Sequence, residues 1–448
     1  MLVSLLITIN FFYNHFSTVL ALMEQNEELP LIIGDLNLKV EKVYEGLEFP
    51  TSMAFLDFDD ILVLEKDKGT VKRIINGNML PEPLLDINVA NQYERGMLGI
   101  AILKTDQQQD KTKGLSNNSK KYIFLYFTEL EGSVDGGDKN KGTDPLGNRL
   151  YRYELKNDKL VNPKLLLDLP AIPNRHNGGS VLIGIDKNVY LTIGDLDHKT
   201  TAQNFENGAS ADGTSGILRI TKDGKQVEDS VLGQGDPLNK YYAYGIRNSF
   251  GMDFDPLTGY IWATEDGFRN IDELNLIERG FNSGWRDIQG FFSLPTSDPE
   301  IQRRDSGTNL GTLVDFNGKG IYGDPKFMWN HSVTPTAVKF LNSDKYGEKY
   351  ENDLFVGDFN YGYLYHFELD DQRKELILKG LLNDHISNNS EELGGIIFGQ
   401  GFGGITNLNL KKHNYFGGIT DIEVGPDGYI YILTFGETNG IIYKIVPS

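Results

Sequence analysis

From residue 38 onward, hydrophobic and polar positions alternate in short runs, each broken by Gly, Asp, Asn or Pro. Alternation with period two places successive side chains on opposite faces of a strand, and the breakers supply the turns. Residues 53–73 read MAFLDFDDILVLEKDKGTVKR, two β-rich runs around an acidic turn. The pattern returns at 97–155 with a long insertion, and again at 180–220, 251–277, 337–369 and 421–445. Each unit predicts three or four antiparallel strands, with hairpins such as GPDG and DPLT between an inner strand and an aromatic-rich one. One such sheet has exposed edges and an unburied face, and packing several radially around an axis removes both problems. The predicted fold is therefore all-β, a six-bladed β-propeller with four-stranded antiparallel blades and long inserted loops. A pair of β-sandwiches is the alternative, but it does not call for six similar hairpins.

The division of the chain follows. Residues 1–37 are predicted to be an N-terminal signal or anchor segment with a short tether, and 38–448 the propeller. Leu38–Tyr44 (LKVEKVY) is predicted to add a strand to the last blade and close the ring. Polar insertions at 105–120 and 131–147, and long connections at 291–326 and 371–415, are expected to form lids or site walls.

Composition narrows the function. The 448 residues carry 43 Lys+Arg and 63 Asp+Glu, a net charge of −20. Binding to a phosphate backbone needs clustered positive charge, so nucleic acid is excluded as a partner. There is no cysteine, which removes disulfides, thiolate metal sites and cysteine nucleophiles together. Leu2–Met23 is mostly apolar and free of Asp, Glu, Lys and Arg, long enough for a secretory core or a single anchor. Asn10, Asn14 and His15 weaken a spanning reading. An extracytoplasmic location, secreted or anchored through this segment, is the expectation, and the sequons at Asn117 and Asn388 are usable only there.

Several segments then carry a resemblance. ERGMLGIA (94–101), HNGGSVLIGIDKNVYLTIGD (176–195), YGIRNSFGMDFDPLTGYIWATEDG (244–267), DELNLIERGFNSGW (272–285), DLFVGDFNYGYLY (353–365) and DIEVGPDGYIYILT (421–434) occur in the order seen in the glucose/sorbosone dehydrogenase family. The chain resembles that family over about residues 40–448. The family includes soluble sugar dehydrogenases that use pyrroloquinoline quinone (PQQ), and also proteins without the quinone. The resemblance implies oxidation of the anomeric hydroxyl of an aldose to a lactone, with a small sugar as substrate and an external electron acceptor.

His176 is the candidate general base, since imidazole titrates near neutrality. The plain alternative is a turn histidine bonded only to its neighbours. Arg247 is the second catalytic candidate, because a guanidinium stabilises developing negative charge. Alternatively it ties blades together. The resemblance implies that Glu94, Arg247 and Asn248 contact the cofactor. It also implies that the carbonyls of Gly267 and Phe268 hold a calcium ion and that Glu273 serves a second one. The acid-rich turn from Glu265 to Glu273 offers the hard oxygens calcium prefers. Relatives usually have Pro where this chain has Phe268.

The tricarboxylate of the quinone calls for cations. Quinone-dependent relatives supply a Lys and two Arg at positions matching Asn360, Gly418 and Thr420. This chain has lost all three. Lys339, Lys411, Lys412 and His413 are loop cations that could stand in, and Phe327 and Trp329 could stack on a flat ligand. Two further readings stay open: a non-catalytic propeller that binds a carbohydrate or a protein, and a calcium-assisted hydrolase.

Overall fold

The computed structural model describes residues 29–105, 120–132, 134–197, 204, 209–268, 270–293, 302–303, 313–404 and 416–448. The apolar segment Leu2–Met23, the sequon at Asn117, and Lys411, Lys412 and His413 lie outside the described residues. Among the described residues no helix is long and apolar enough to cross a membrane.

The chain is all-β in a propeller arrangement. The α-helices Gly137–Lys141 and Ser390–Gly394 have five residues each. Asp60–Glu65, Ile261–Glu265 and Asp272–Ile277 are buried along their whole length. Strands sandwiched between neighbouring sheets have both faces covered, which is why Ile61–Leu64 is a continuous apolar run and why the polar residues Thr264, Glu265, Asp272, Glu273 and Asn275 of the other two are buried as well. Each Leu, Ile or Val so buried contributes about 1.5–3 kcal/mol.

Sheets form mainly from consecutive strands. Met97–Lys104, Lys121–Glu129, Gly147–Lys156 and Lys159–Leu169 make one four-stranded antiparallel sheet. Leu38–Leu47 pairs antiparallel with Gly440–Pro447, with Leu38 opposite Pro447 and Val40 opposite Ile445. A strand from the start of the domain thereby covers the edge left by the last one, the closure that the alternation in LKVEKVY predicts.

Four-stranded blades are too simple a description. The sheet that starts at Val181–Ile183 has six strands, because Phe281–Asn282 and Ile321–Tyr322 add to it in parallel. The sheet that starts at Met252–Phe254 gains Ile386–Ser387 in parallel. The connection 371–415 is not only loop: Ile397–Gln400 pairs with Leu364–Phe367, inside the glycine-rich GGIIFGQGFGGI. Sparse apolar alternation hid that strand. Phe327 and Trp329 are fully buried against Tyr365 and Phe367, so they are core and not a stacking platform.

The first strands of the sheets face a common axis around a cavity of about 320 Å³. Ser52, Ile100, Val181, Met252, Val338 and Ile422 line it, each from a different sheet.

Candidate functional site

The HNGG turn leaves His176 in the left-handed region, at φ +55°, and buries it to 4% exposure. Its Nδ1 lies 2.5 Å from Oδ1 of Asp195. Asp195 follows the strand Val189–Ile193, and its N–H donates to the Arg247 carbonyl at 2.8 Å. Gly194 makes this convergence possible. A Cβ there would stand 2.4 Å from the His176 carbonyl oxygen and 2.5 Å from that of Arg247. Trp285 Nε1–H donates to the other Asp195 oxygen at 2.7 Å, and the Asp197 N–H to Oδ1 at 2.9 Å. Burial pushes the Asp195 carboxyl up, but the bonds from His176, Trp285 and Asp197 outweigh it and hold the pKa below the ordinary value. An ionised Asp195 places the imidazole proton on Nδ1 and leaves the lone pair on Nε2, the tautomer a general base requires.

Glu94, Asn248 and Arg247 gather around this pair. Glu94 Oε2 accepts from the His176 N–H at 2.7 Å and from Asn248 Nδ2 at 3.1 Å. Asn248 Oδ1 accepts from the Gly178 N–H at 3.2 Å. Burial is the main force lifting the Glu94 carboxyl above its usual range. Arg247 Nη1 donates to the Asp266 carbonyl at 2.6 Å and to its carboxylate at 3.1 Å. The Arg247 guanidinium sits 5.5 Å from the Trp285 ring centroid, and its Nε is buried with no hydrogen-bond partner among the described residues. That orphaned donor is available to a ligand oxygen.

The residues expected to serve calcium lie in a hydrogen-bonded turn. Glu273 is buried, and its carboxylate accepts from Gln289 Nε2 at 2.6 Å, from Asn275 Nδ2 at 2.9 Å and from the Gly290 N–H. The Phe268 carbonyl accepts from the Ile271 N–H at 3.3 Å, and the Gly267 N–H donates to Asp272. Among the described residues no group of three or more His, Asp or Glu could hold a metal ion. Glu273 thus holds Gln289, Asn275 and Gly290 in this fold, and the Phe268 carbonyl is bonded within the turn.

The quinone cradle can be tested on geometry. Asn360 Nδ2 is engaged by the Ser332 carbonyl at 3.0 Å and Thr334 Oγ1 at 3.0 Å. At Gly418 a Cβ would lie 2.4 Å from the Asp358 carbonyl oxygen and 2.6 Å from that of Phe359, so the backbone leaves no room for any side chain. Thr420 lines the cavity and donates to the Leu433 carbonyl at 3.4 Å. Among the described residues, the charged ones lining the cavity are two lysines, Lys66 and Lys339, against four acids, Glu94, Asp266, Asp421 and Glu423. Lys66 is held by Asp67 at 2.6 Å, and Lys339 by Glu423 at 2.8 Å. Both cations are already neutralised, and the wall is acidic on balance. The described part of this wall does not fit a tricarboxylate. Lys339, unplaced by the sequence, does reach the axis, but it is spent on acids.

Two buried acids, Asp421 on the cavity wall and Asp358, set a pH dependence. Burial and the charge of Glu423 push the Asp421 pKa up to about 7, and burial does the same for Asp358. Each is raised above its unfolded value near 3.8. The stability these groups contribute is thus fully present below about pH 4 and is lost as the pH rises through about 7. The urea midpoint is expected to fall between pH 5 and pH 8, and Asp421→Asn to flatten the fall. An unchanged slope in that variant would show that Asp421 does not titrate in this window.

The sequence-predicted residues His176, Glu94, Arg247 and Asn248 therefore meet in one place, with Gly267 and Phe268 nearby through Asp266 and Trp285. Sequence reasoning missed Asp195 and Trp285. The only signal for Asp195 was the GD that ends the strand after HNGG. Comparison with known proteins identifies the family. Residues 47–444 match the model of a family described as Glucose / Sorbosone dehydrogenase. An uncharacterized Synechocystis protein is 25% identical over 425 residues, covering 91% of this chain and 86% of the relative. The aldose sugar dehydrogenase of Escherichia coli is 23% identical over 419 residues, covering 92% and 93%. The PQQ-bound aldose sugar dehydrogenase of Streptomyces coelicolor superposes with a TM-score of 0.59 at 20% identity, covering 93% of this chain and 100% of that one.

Proposed function

Because the chain belongs to the glucose/sorbosone dehydrogenase family, we propose that it oxidises an aldose at the mouth of the axial cavity. The observation that carries this reading is the buried His176–Asp195 pair, joined through the His176 N–H to Glu94, which lines the cavity, with Nε2 as the acceptor nitrogen. His176 takes the proton of the anomeric hydroxyl, and Asp195 stabilises the imidazolium that forms. Arg247 Nε and Asn248 orient sugar oxygens, and the hydride passes to a two-electron acceptor. The acidic wall favours a neutral polyol and an acceptor of low negative charge over a tricarboxylate. We read the sheets as six blades. Their inner strands pack in a cycle from Pro50–Asp57 through Met97–Lys104, Val181–Ile183, Met252–Phe254, Pro335–Phe340 and Phe416–Val424 back to the first. We further propose export or anchoring through the N-terminal apolar segment.

The test is aldose-dependent dye reduction by the purified protein, run with PQQ and with a neutral benzoquinone, each with and without calcium. Turnover with the neutral quinone at least equal to that with PQQ is expected. The lost cations favour one second reading, carbohydrate binding without turnover. Sugar binding with no dye reduction under any of these conditions would establish that reading instead.

A further inference from the structure

Residues 29–38 read LPLIIGDLNL, apolar on both faces. Leu31–Ile32 is the outermost strand of the sheet whose inner strand is Pro335–Phe340, with Leu31 opposite Gln400 and Ile32 opposite Gly399. The N–H groups of Ile33 and Gly34 continue the contact, both donating to the Phe398 carbonyl, at 2.8 and 2.9 Å. One face is core: Pro30 and Ile32 are buried, Ile32 in the cluster that holds Phe398 and Phe402. Period two turns Leu29, Leu31 and Ile33 to the other side, where they are 46%, 60% and 44% exposed. Leu36 follows at the tip of a turn that the Leu38 N–H closes on the Asp35 carbonyl, and it is 85% exposed.

A solvent-facing sheet edge normally carries polar or charged side chains, and so does a turn tip. This stretch carries aliphatic ones. Its one charge is Asp35, whose carboxylate accepts from Lys349 Nζ at 2.7 Å and from the Tyr350 hydroxyl at 3.3 Å. The result is a neutral, apolar face on a chain of net charge −20. Such a face marks an interaction site. A second copy would bring another charge of −20, and an anionic surface repels the chain in the same way. Residues 24–28 alone separate Leu29 from the apolar segment Leu2–Met23. A connection that short reaches at most about 20 Å, so whatever holds the segment also lies within reach of the face.

We propose that Leu29, Leu31, Ile33 and Leu36 dock on a lipid bilayer with zwitterionic headgroups, so that the anchored propeller rests on the rim of this sheet. This rests on the anchoring reading above and deepens it. The side chains enter the shallow boundary between headgroups and acyl chains, where an apolar face is buried without any charge to desolvate. Val338, on the inner strand of the same sheet, lines the axial cavity. Four strand spacings, roughly 19 Å, separate the two edges, so docking at the rim leaves the cavity open to solutes.

Because the chain has no cysteine, Asn37→Cys accepts a single environment-sensitive dye beside the intact face. The full chain carrying that dye is floated with phosphatidylcholine vesicles, with and without doxyl-labelled lipid. The dye is expected to float with the vesicles, shift to the blue and lose most of its fluorescence to the doxyl quencher. With Leu31→Ser, Ile33→Ser and Leu36→Ser together, the chain is expected still to float at an unchanged melting temperature, and the quenching to disappear. Leu36→Ser alone, at a turn tip, is expected to remove part of it. A chain that floats without quenching, or quenching that survives in the triple variant, overturns the docking while the anchoring reading stands. A chain that does not float overturns both. A dye already shielded without vesicles shows that a second copy or residues 1–28 cover the face, and it overturns the docking as well.

Discussion

Asp195→Asn is expected to slow aldose oxidation by about 10⁴-fold while the protein keeps its fold. The effect comes from the tautomer. An asparagine amide keeps its oxygen toward Trp285 Nε1 and turns its NH₂ toward His176 Nδ1. That nitrogen must then accept, so the ring proton moves to Nε2, which can no longer take a proton from the substrate. The ionised carboxylate also stabilises the imidazolium, and a neutral amide does not. His176→Ala is expected to lose about 10²–10⁴-fold for the plainer reason that the base is gone. The double variant should be no slower than Asp195→Asn by more than a small factor, because the two residues act as one unit. Steady-state rates with a saturating dye, alongside thermal melts of each variant, check this. An Asp195→Asn rate within tenfold of the wild type would remove the dyad from the chemistry.

The second large effect concerns the absent cations. Asn360→Lys combined with Thr420→Arg is expected to tighten PQQ binding by at least about 100-fold. Each new charge-assisted bond to a carboxylate contributes about 1.5–3 kcal/mol, and about 1.4 kcal/mol corresponds to tenfold. Position 418 is left untouched, because its Cβ would press on the Asp358 carbonyl at 2.4 Å. Quenching of tryptophan fluorescence on titration with the quinone reads the affinity without any turnover. If the wild type already binds as tightly as the double variant, the acidic wall is not what opposes the tricarboxylate.

The two outcomes bear on different halves of the site. In the proposed reaction the His176–Asp195 pair, with Arg247 and Asn248 beside it, carries the proton chemistry. The wall between Asn360 and Glu423 decides what can sit against it. This chain has kept the first half and replaced the second with Phe359, Phe435 and acids that hold Lys339.

Much of this was legible along the chain. Period-two alternation and turn residues specify strands locally, and six similar hairpins specify that the sheets need one another. LKVEKVY shows its inward Leu38 and Val40 directly, so the closing strand could be placed. His176, Arg247, Asn248 and Glu94 stand in motifs whose glycines announce close backbone packing. The strand Ile397–Gln400 was not legible, because two glycines flank its few apolar residues and its pairing partner lies outside the segment. Asp195 was not singled out either: an Asp after a strand is common, and only the meeting of three loops through Gly194 gives it His176 and Trp285.

The sequence by itself determined the alternation, the hairpins, the loss of three cations and the candidate for the base, since those are properties of single residues and short runs. Only the tertiary structure decided that Glu273 is saturated by donors, that Trp329 is core, that Lys339 reaches the axis already paired, and that Gly418 has no space beside it. The reason is physical: charge balance, hydrogen-bond saturation and free volume belong to groups brought together from distant parts of the chain, and no local pattern encodes their sum.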